Sequence, residues 1–453
     1  MALEFSLKSS KWAYVIVYLS LTYLLVLFIS MVDFDLSENS QLEISFRFSL
    51  LLSISIIICV LVLQIGFIYL GSFIMLRQVG IIQIYPKVTA SAHSADYIKN
   101  GELEKYNYKE LVKTVQTVAE KAKVTISKIY VTFTHTPNAF TFRLPFAHGS
   151  VININTNILD VLSEGEIEAV IAHEIAHIKN KDSLLKMLLM APSPFMNLSF
   201  FYLYSVIGIT ILNNLLFHFN LVSAMVFTLV LAGVYLGTKI LAVTMKILLL
   251  KSDRKAELLA DLYAAKMTSP ITTINALIHI GQRVEALCVL MDEFKNMELI
   301  KKRELTPDDH KQLLKLMSSF PVYEFDERQA KIIAPYLFLK NELSQLREHY
   351  FLPLTDIEIE ELVVLSIKRL EKKQKISLDI DEDVFSWRNY DLDYNKYLDK
   401  AELKLFVKDL KNDPNKFVFT NEGGTNYLLH DHPAYRKRIL TIFEEFEKQL
   451  TQD

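Results

Sequence analysis

Between Lys11 and Asp33 the chain runs for 21 residues without a charge, and between Arg47 and Arg77 it does so for 29. Each stretch exceeds the roughly 20 apolar residues that a bilayer-spanning helix needs, so a span is predicted in each. A third apolar region contains no Asp, Glu, Lys or Arg from Met187 to Thr238, and it reaches Leu250 if Lys239 and Lys246 are admitted. One helix cannot hold it. Pro192 and Pro194 interrupt its start, and Asn213, Asn214, His218 and Asn220 mark a tight turn near its middle. The pattern predicts a hairpin with spans near 196–217 and 221–249; the competing reading is a buried hairpin of a soluble protein. A cleavable leader competes for the first stretch, but its end, ISMVDFD, lacks small residues at the cleavage position, and a retained anchor is expected.

Elsewhere the pattern is amphipathic. Ser163 followed by Glu166 forms a capping box, after which Ile167, Ile171, Ile175 and Ile178 fall on one helical face. DRKAELLADLYAA, from Asp253, is built of strong helix formers. Residues 286–424 are charged and poor in glycine, with helix starts at TPDD (306–309) and TDIE (355–358), and read as a mostly helical accessory region.

Composition agrees with a chain partly in lipid: 453 residues, 51% hydrophobic, with positive mean hydropathy. A net charge of −3 gives no case for a nucleic-acid partner, and lysine runs such as KRLEKKQK read as the wet face of a helix. Cys59 and Cys288 provide no disulfide framework. Positive charges set an orientation. Lys8 and Lys11, Arg77, then Lys179, Lys181 and Lys186, and finally Lys251, Arg254 and Lys255 flank the four predicted spans on one side. The opposite loop, 33–46, carries Asp33, Asp35, Glu38 and Glu43 without a lysine or arginine, so both termini and the domain between the second and third predicted spans are expected in the cytoplasm.

The chemistry concentrates in AHEIAH, residues 172–177. On a helix His173 and His177 share a face, so both imidazoles reach one zinc ion, while Glu174 can serve as general base toward a water activated by the metal. Chance alone yields such a string in a few per cent of chains this long, so context has to decide. A catalytic zinc site needs a third protein ligand, for which Glu257 is the best candidate. Asp261 lies one turn later and is suited to accept the second ring N–H of a ligating histidine.

AHEIAHIKNKD, DRKAELLAD and HPAYRKRI (432–439) together resemble the HtpX-like and CAAX prenyl protease type I family of membrane zinc metallopeptidases. The resemblance implies His173, His177 and Glu257 as ligands, Glu174 as base, and Asp261 and Arg438 as supporting residues. It implies His432 near the metal, where an imidazole can stabilise an oxyanion. PNAFTF (137–142), with Asn138, Ala139 and Phe140, matches the segment before the family's active-site strand. That strand would be VININ (151–155), with Val151 and Asn153, whose open edge is expected to pair with a substrate backbone. Asp431 and Asp253 stand where the family more often has threonine and serine.

The expected fold is α+β: a multi-pass helical membrane protein of about four spans with a zincin-like HExxH metallopeptidase domain. Residues 1–86 form the first membrane region, 87–285 the peptidase domain interrupted by the hairpin at about 196–249, 286–424 the accessory domain, and 425–453 a segment returning to the catalytic domain. The expected partners are a polypeptide substrate and the lipid bilayer. The resemblance implies a bacterial inner membrane and a role in removing damaged or surplus membrane proteins. A signalling protease of the BlaR-like kind and a non-enzymatic zinc-stabilised scaffold are the alternatives; CAAX processing fits less well, because four spans are fewer than those enzymes have.

DLDYNKYLDKAE (391–402) adds a calcium expectation. Asp391, Asp393, Asn395, Asp399 and Glu402 occupy the first, third, fifth, ninth and twelfth positions of an EF-hand loop, and Tyr397 would contribute its carbonyl. Lys396 replaces the glycine of the sixth position, which weakens the match.

Overall fold

A computed structural model describes residues 2–30, 32–36, 42–46, 81–90, 94–142, 149–190, 192–301, 355–364, 387–414, 418–419 and 432–451, apart from single positions, together with isolated residues elsewhere. The first helix, α1 (Ala2–Ser30), covers the first apolar stretch. Most of the second, 48–76, lies outside the described residues, as do TPDD and most of the accessory region.

Segment 33–46, expected as a plain loop, contains an antiparallel hairpin of β1 (Val32–Leu36) and β2 (Leu42–Phe46). Val32, Phe34 and Leu36 alternate with Asp33 and Asp35, and Leu42, Ile44 and Phe46 with Glu43 and Ser45, which is the period of a strand.

The unit that carries the histidine helix is a five-stranded sheet covered by helices. Its strands are β3 (Ile81–Tyr85), β4 (Thr89–Ala90), β5 (Ile126–Thr132), β6 (Ala139–Phe142) and β7 (Ser150–Asn155), in the order β4-β3-β5-β7-β6. β5 and β7 are parallel; the other pairs are antiparallel. Two short helices, α2 (Ala95–Lys99) and α4 (Thr156–Val161), flank the amphipathic α3 (Tyr108–Ala122) and the sheet. Val115 and Val118 of α3 meet Ile129, Val131, Ile152 and Ile154 of the sheet and Ile171, Ala172 and Ile175 of α5 (Glu164–Lys179) in one buried core. Gly149 enters β7 at φ +92, and a Cβ there would press against Ser127, so only glycine fits.

One expectation is overturned here. β7, the VININ strand, has no open edge: it pairs with β5 on one side and β6 on the other, and Val151 and Asn153 are both buried. The edge belongs to β6. Asn155 N–H donates to the Asn138 carbonyl, so Asn138 and Asn155 face each other as a hydrogen-bonded pair. Alternation along an antiparallel ladder then turns the backbone groups of Ala139 and Thr141 outward.

After α6 (Asp182–Met190), α7 (Pro192–Leu216) and α8 (Leu221–Met267) form the expected hairpin, with Asn220 capping α8 through Ser223 N–H. Among the described residues α8 is the one helix long and apolar enough to cross a membrane, and 200–216 is a shorter apolar helix. α8 does not stop at Leu250. It continues for 47 residues in all, about 70 Å at 1.5 Å per residue, and carries Glu257 and Asp261 on the same rod. α9 (Pro270–Lys301) follows. Its Ile274, Leu277 and Ile278 share a second core with Trp387, Leu398, Leu403 and Phe406 around α10 (Lys400–Asn412), and with Ile439 and Ile442 of α11 (Tyr435–Glu445). A short α12 (Glu447–Thr451) closes the described chain.

Candidate metal centre

The helix bearing the histidines is fixed at its start and along its buried face. The Ser163–Glu166 capping box forms, satisfying the first turn, and Ile171 and Ile175 are fully buried, so the adjacent face is directed outward from the core. That face meets α8. His173 Nε2 and His177 Nε2 stand 3.1 Å apart, and each is 3.6 Å from an oxygen of Glu257. The three side chains offer ligand atoms within 4.8 Å of one another.

The opposite ring nitrogens are also held. His173 Nδ1 is 3.0 Å from Asp261, whose carboxylate accepts two hydrogen bonds from Arg438 at 2.6 and 2.7 Å. His177 Nδ1 is 3.0 Å from Asp182, and Asp182 in turn contacts the Lys11 ammonium. With Nδ1–H donating to a carboxylate in each ring, an imidazole that gives up its second proton presents its Nε2 lone pair to the space before Glu257. Two imidazole nitrogens and one carboxylate, each oriented from behind, are the donor set of a catalytic zinc site, and these residues fit that ion.

Burial alone would make Glu257 harder to ionise, but hydrogen bonds from His173 and His432 keep its carboxyl well below the usual range. Asp261 is likewise driven up by burial and brought down further by Arg438. His173, opposed by burial, is held up to about 10 by Asp261 and Glu257. Glu174 is buried beside His173, and its negative charge reaches His177. His432 is mostly exposed at the rim, its Nδ1 3.0 Å from Glu257.

The β6 edge runs alongside this face. Thr141 Oγ1 donates to the Glu174 carbonyl at 3.4 Å, and Ser183 Oγ donates to the Thr141 carbonyl at 2.6 Å, tying the edge strand to α5 and α6. Ala139 and Phe140 are half-buried and Asn138 is exposed.

Asp182 and Lys11 were missed by the sequence reading. Asp182 closes the AHEIAHIKNKD string, five residues past His177, and the left-handed Lys181 (φ 58) turns the chain so that it comes back under the ring. Lys11 carries no local signal of this role.

The loop at 391–402 brings Asp391, Asp393 and Glu402 together, with Lys396 in the left-handed region at φ 68. Its oxygens are engaged by the chain itself. Asp391 accepts from the Asn395 and Lys396 N–H groups, Glu402 from Leu392 and Asp399, Asn395 from Tyr397, and Asp399 caps α10. Asn275 of α9 receives the Leu398 N–H at 2.8 Å and donates to its carbonyl at 2.9 Å. His279 lies 2.7 Å from the Lys396 carbonyl and, through its other nitrogen, 2.7 Å from Glu166 of the capping box.

The model of peptidase family M48 matches residues 106–445, more than half of the chain. Similar proteins include those named Protease HtpX homolog from Thermodesulfovibrio yellowstonii, 34% identical over 99 residues, and from Thermococcus sibiricus, 40% identical over 87 residues. The first match covers 22% of this chain and 33% of that relative, the second 19% and 29%. The homolog from Dictyoglomus turgidum is 34% identical over 128 residues, 25% of this chain and 40% of its own length. The chain thus spans about a third of the length of the curated relatives it matches. No solved structure matches.

Proposed function

Because the chain belongs to peptidase family M48, with HtpX-like relatives, we propose that it is a membrane-embedded, zinc-dependent endopeptidase acting on membrane or misfolded proteins at the cytoplasmic face. The observation that carries this reading is the convergence of His173, His177 and Glu257, with Glu174 beside them. Zinc, when bound there, supplies a Lewis acid that polarises the scissile carbonyl and makes water a nucleophile near neutral pH.

The chain's own residues do the rest. An extended substrate adds to the outward N–H and carbonyl of Ala139 and to the Thr141 N–H, the Thr141 carbonyl being held by Ser183, which gives affinity through main-chain hydrogen bonds and little dependence on side chains. Glu174 takes a proton from the attacking water and delivers it to the departing amine. His432, at the rim, donates toward the developing oxyanion. Arg438 and Asp261 hold His173 in the tautomer that presents Nε2.

A site at the membrane surface is supported by α8. Glu257 follows Leu250 by seven residues on one uninterrupted helix, about 10 Å along the axis, so the ligand stands just beyond the apolar rod. The basic residues that flank the apolar segments favour the cytoplasmic side and four spans.

The test is cleavage of casein by the detergent-purified chain, wild type against Glu174→Gln, with zinc supplied and then chelated. Zinc-dependent cleavage that the variant lacks is expected. Equal cleavage by both forms, or bound zinc with no cleavage of any unfolded or membrane substrate, would overturn the proteolytic reading.

A further inference from the structure

Lys11 is a charged residue on a buried apolar face. Leu7, Lys11, Val15 and Tyr18 recur at helical spacing along one side of α1, and all four are buried, Lys11 to 3% exposure. Below it, Leu3 and Leu7 pack on Leu258, Leu259 and Leu262, the turns of α8 that surround Glu257 and Asp261. Above it, Val15 and Tyr18 pack on Leu189, Phe200 and Met245, and Tyr18 Oη donates to the Leu189 carbonyl at 2.7 Å. Packing explains the apolar members of this face. It does not explain a lysine, whose ammonium loses its hydration on burial and has to be repaid by a partner.

The partner is Asp182, and Asp182 is not a neutral bystander. Its one oxygen meets Lys11; the other stands 3.0 Å from His177 Nδ1. A carboxylate that accepts from a single imidazole is free to swing about its own torsion, whereas one gripped by an ammonium on its other oxygen presents a fixed acceptor. His173 receives the equivalent treatment from Arg438 through Asp261. The two histidines are therefore buttressed by two basic residues from two different helices, α11 behind His173 and α1 behind His177, the latter 171 residues away from Asp182.

We infer that Lys11 is a positioning residue of the metal centre: it fixes Asp182, and through it the ring of His177, so that tight zinc binding requires α1 to be docked against the catalytic helices. This rests on the zinc reading above. A merely structural tie between α1 and α6 would stabilise the fold without acting on the metal, so zinc affinity in a double-mutant cycle separates the two.

The experiment uses the full chain in detergent, stripped of metal and titrated with zinc against a chromophoric competitor, with the melting temperature of each metal-free form recorded. Asp182→Asn is expected to weaken zinc binding about 10- to 100-fold, and Lys11→Met about tenfold, with Lys11→Arg restoring most of the loss. On the Asp182→Asn background Lys11→Met should add less than about twofold, because the two residues act in series. Tyr18→Phe, which removes a hydrogen bond of the same helix without touching Asp182, should lower the melting temperature and leave zinc affinity unchanged.

Zinc affinity untouched by Lys11→Met, or an equal loss in both backgrounds, would overturn the inference. So would a loss of affinity in Tyr18→Phe matching that of Lys11→Met. If Lys11→Met does not fold, Lys11→Gln carries the same comparison, keeping a donor without the charge. Failure of the wild type itself to bind zinc would instead remove the metalloprotease reading.

Discussion

Arg438 grips both oxygens of Asp261, at 2.6 and 2.7 Å, and so joins α11 to the helix that carries Glu257. Both partners are buried, and Asp261 also receives His173. Arg438→Met leaves a buried carboxylate without its counter-charge, which costs about 3–5 kcal/mol in comparable cases. Lys at this position supplies the charge but not the planar pair of donors, so Arg438→Lys should recover only part of the loss. Denaturation of the detergent-solubilised protein checks both, and wild-type stability in Arg438→Met would show that the pair is idle.

Zinc binding should expel protons. Burial pushes His173 down in the metal-free site, but Asp261 and Glu257 outweigh it and hold the imidazolium up to about 10, above the ordinary 6.5. A group raised in this way contributes stability that is complete below pH 6.5 and is lost as pH rises through about 10. Zinc takes the neutral ring, so at a pH between those limits the ion competes with a proton. About one proton should leave His173 per zinc near pH 8, with apparent affinity rising up to about tenfold per pH unit toward pH 10. Calorimetry in buffers of differing ionisation heat counts the protons, and a count of zero would refute the raised His173.

Much of this centre was legible because its signals are local. The i, i+4 spacing of His173 and His177, the Ser163–Glu166 box and the isoleucine row each lie within one helix, and the structure places them as read. Glu257 and Asp261 were also found, yet the helix was cut at Leu250, where an all-round apolar pattern gives way to an amphipathic one. No glycine or proline separates the two parts, so the helix runs through. Asp182, Lys11 and the strand order β5-β7-β6 were not legible. They depend on which segments meet across the chain, and the edge position of a strand leaves no mark on its own residues.

The corrected edge makes its own prediction. Ala139 turns its N–H and carbonyl away from β7, toward the space in which an extended substrate would lie. Proline at an edge position removes an outward donor without breaking the ladder inside. Ala139→Pro should therefore raise KM several-fold for unfolded substrates while zinc content and melting temperature stay near wild type, whereas Phe142→Pro, on the paired side, should destabilise the sheet. An unchanged KM in Ala139→Pro would mean that substrate does not add to this strand.

Asn275 does for Leu398 what a neighbouring strand would do. It accepts the Leu398 N–H and donates to the Leu398 carbonyl, all within a buried contact between α9 and the 391–402 loop. Asn275→Ala leaves one donor and one acceptor of the backbone unpaired away from water, at about 1–3 kcal/mol each. The loop also carries the Lys396 carbonyl that meets His279, and His279 meets the Glu166 of the capping box. Loosening the loop should thus be felt at the start of the histidine helix. Hydrogen exchange is the measurement: Asn275→Ala should speed exchange both at 391–402 and in the first turn of α5. Faster exchange in the loop alone would show that the His279 bridge transmits nothing to the helix that holds His173 and His177.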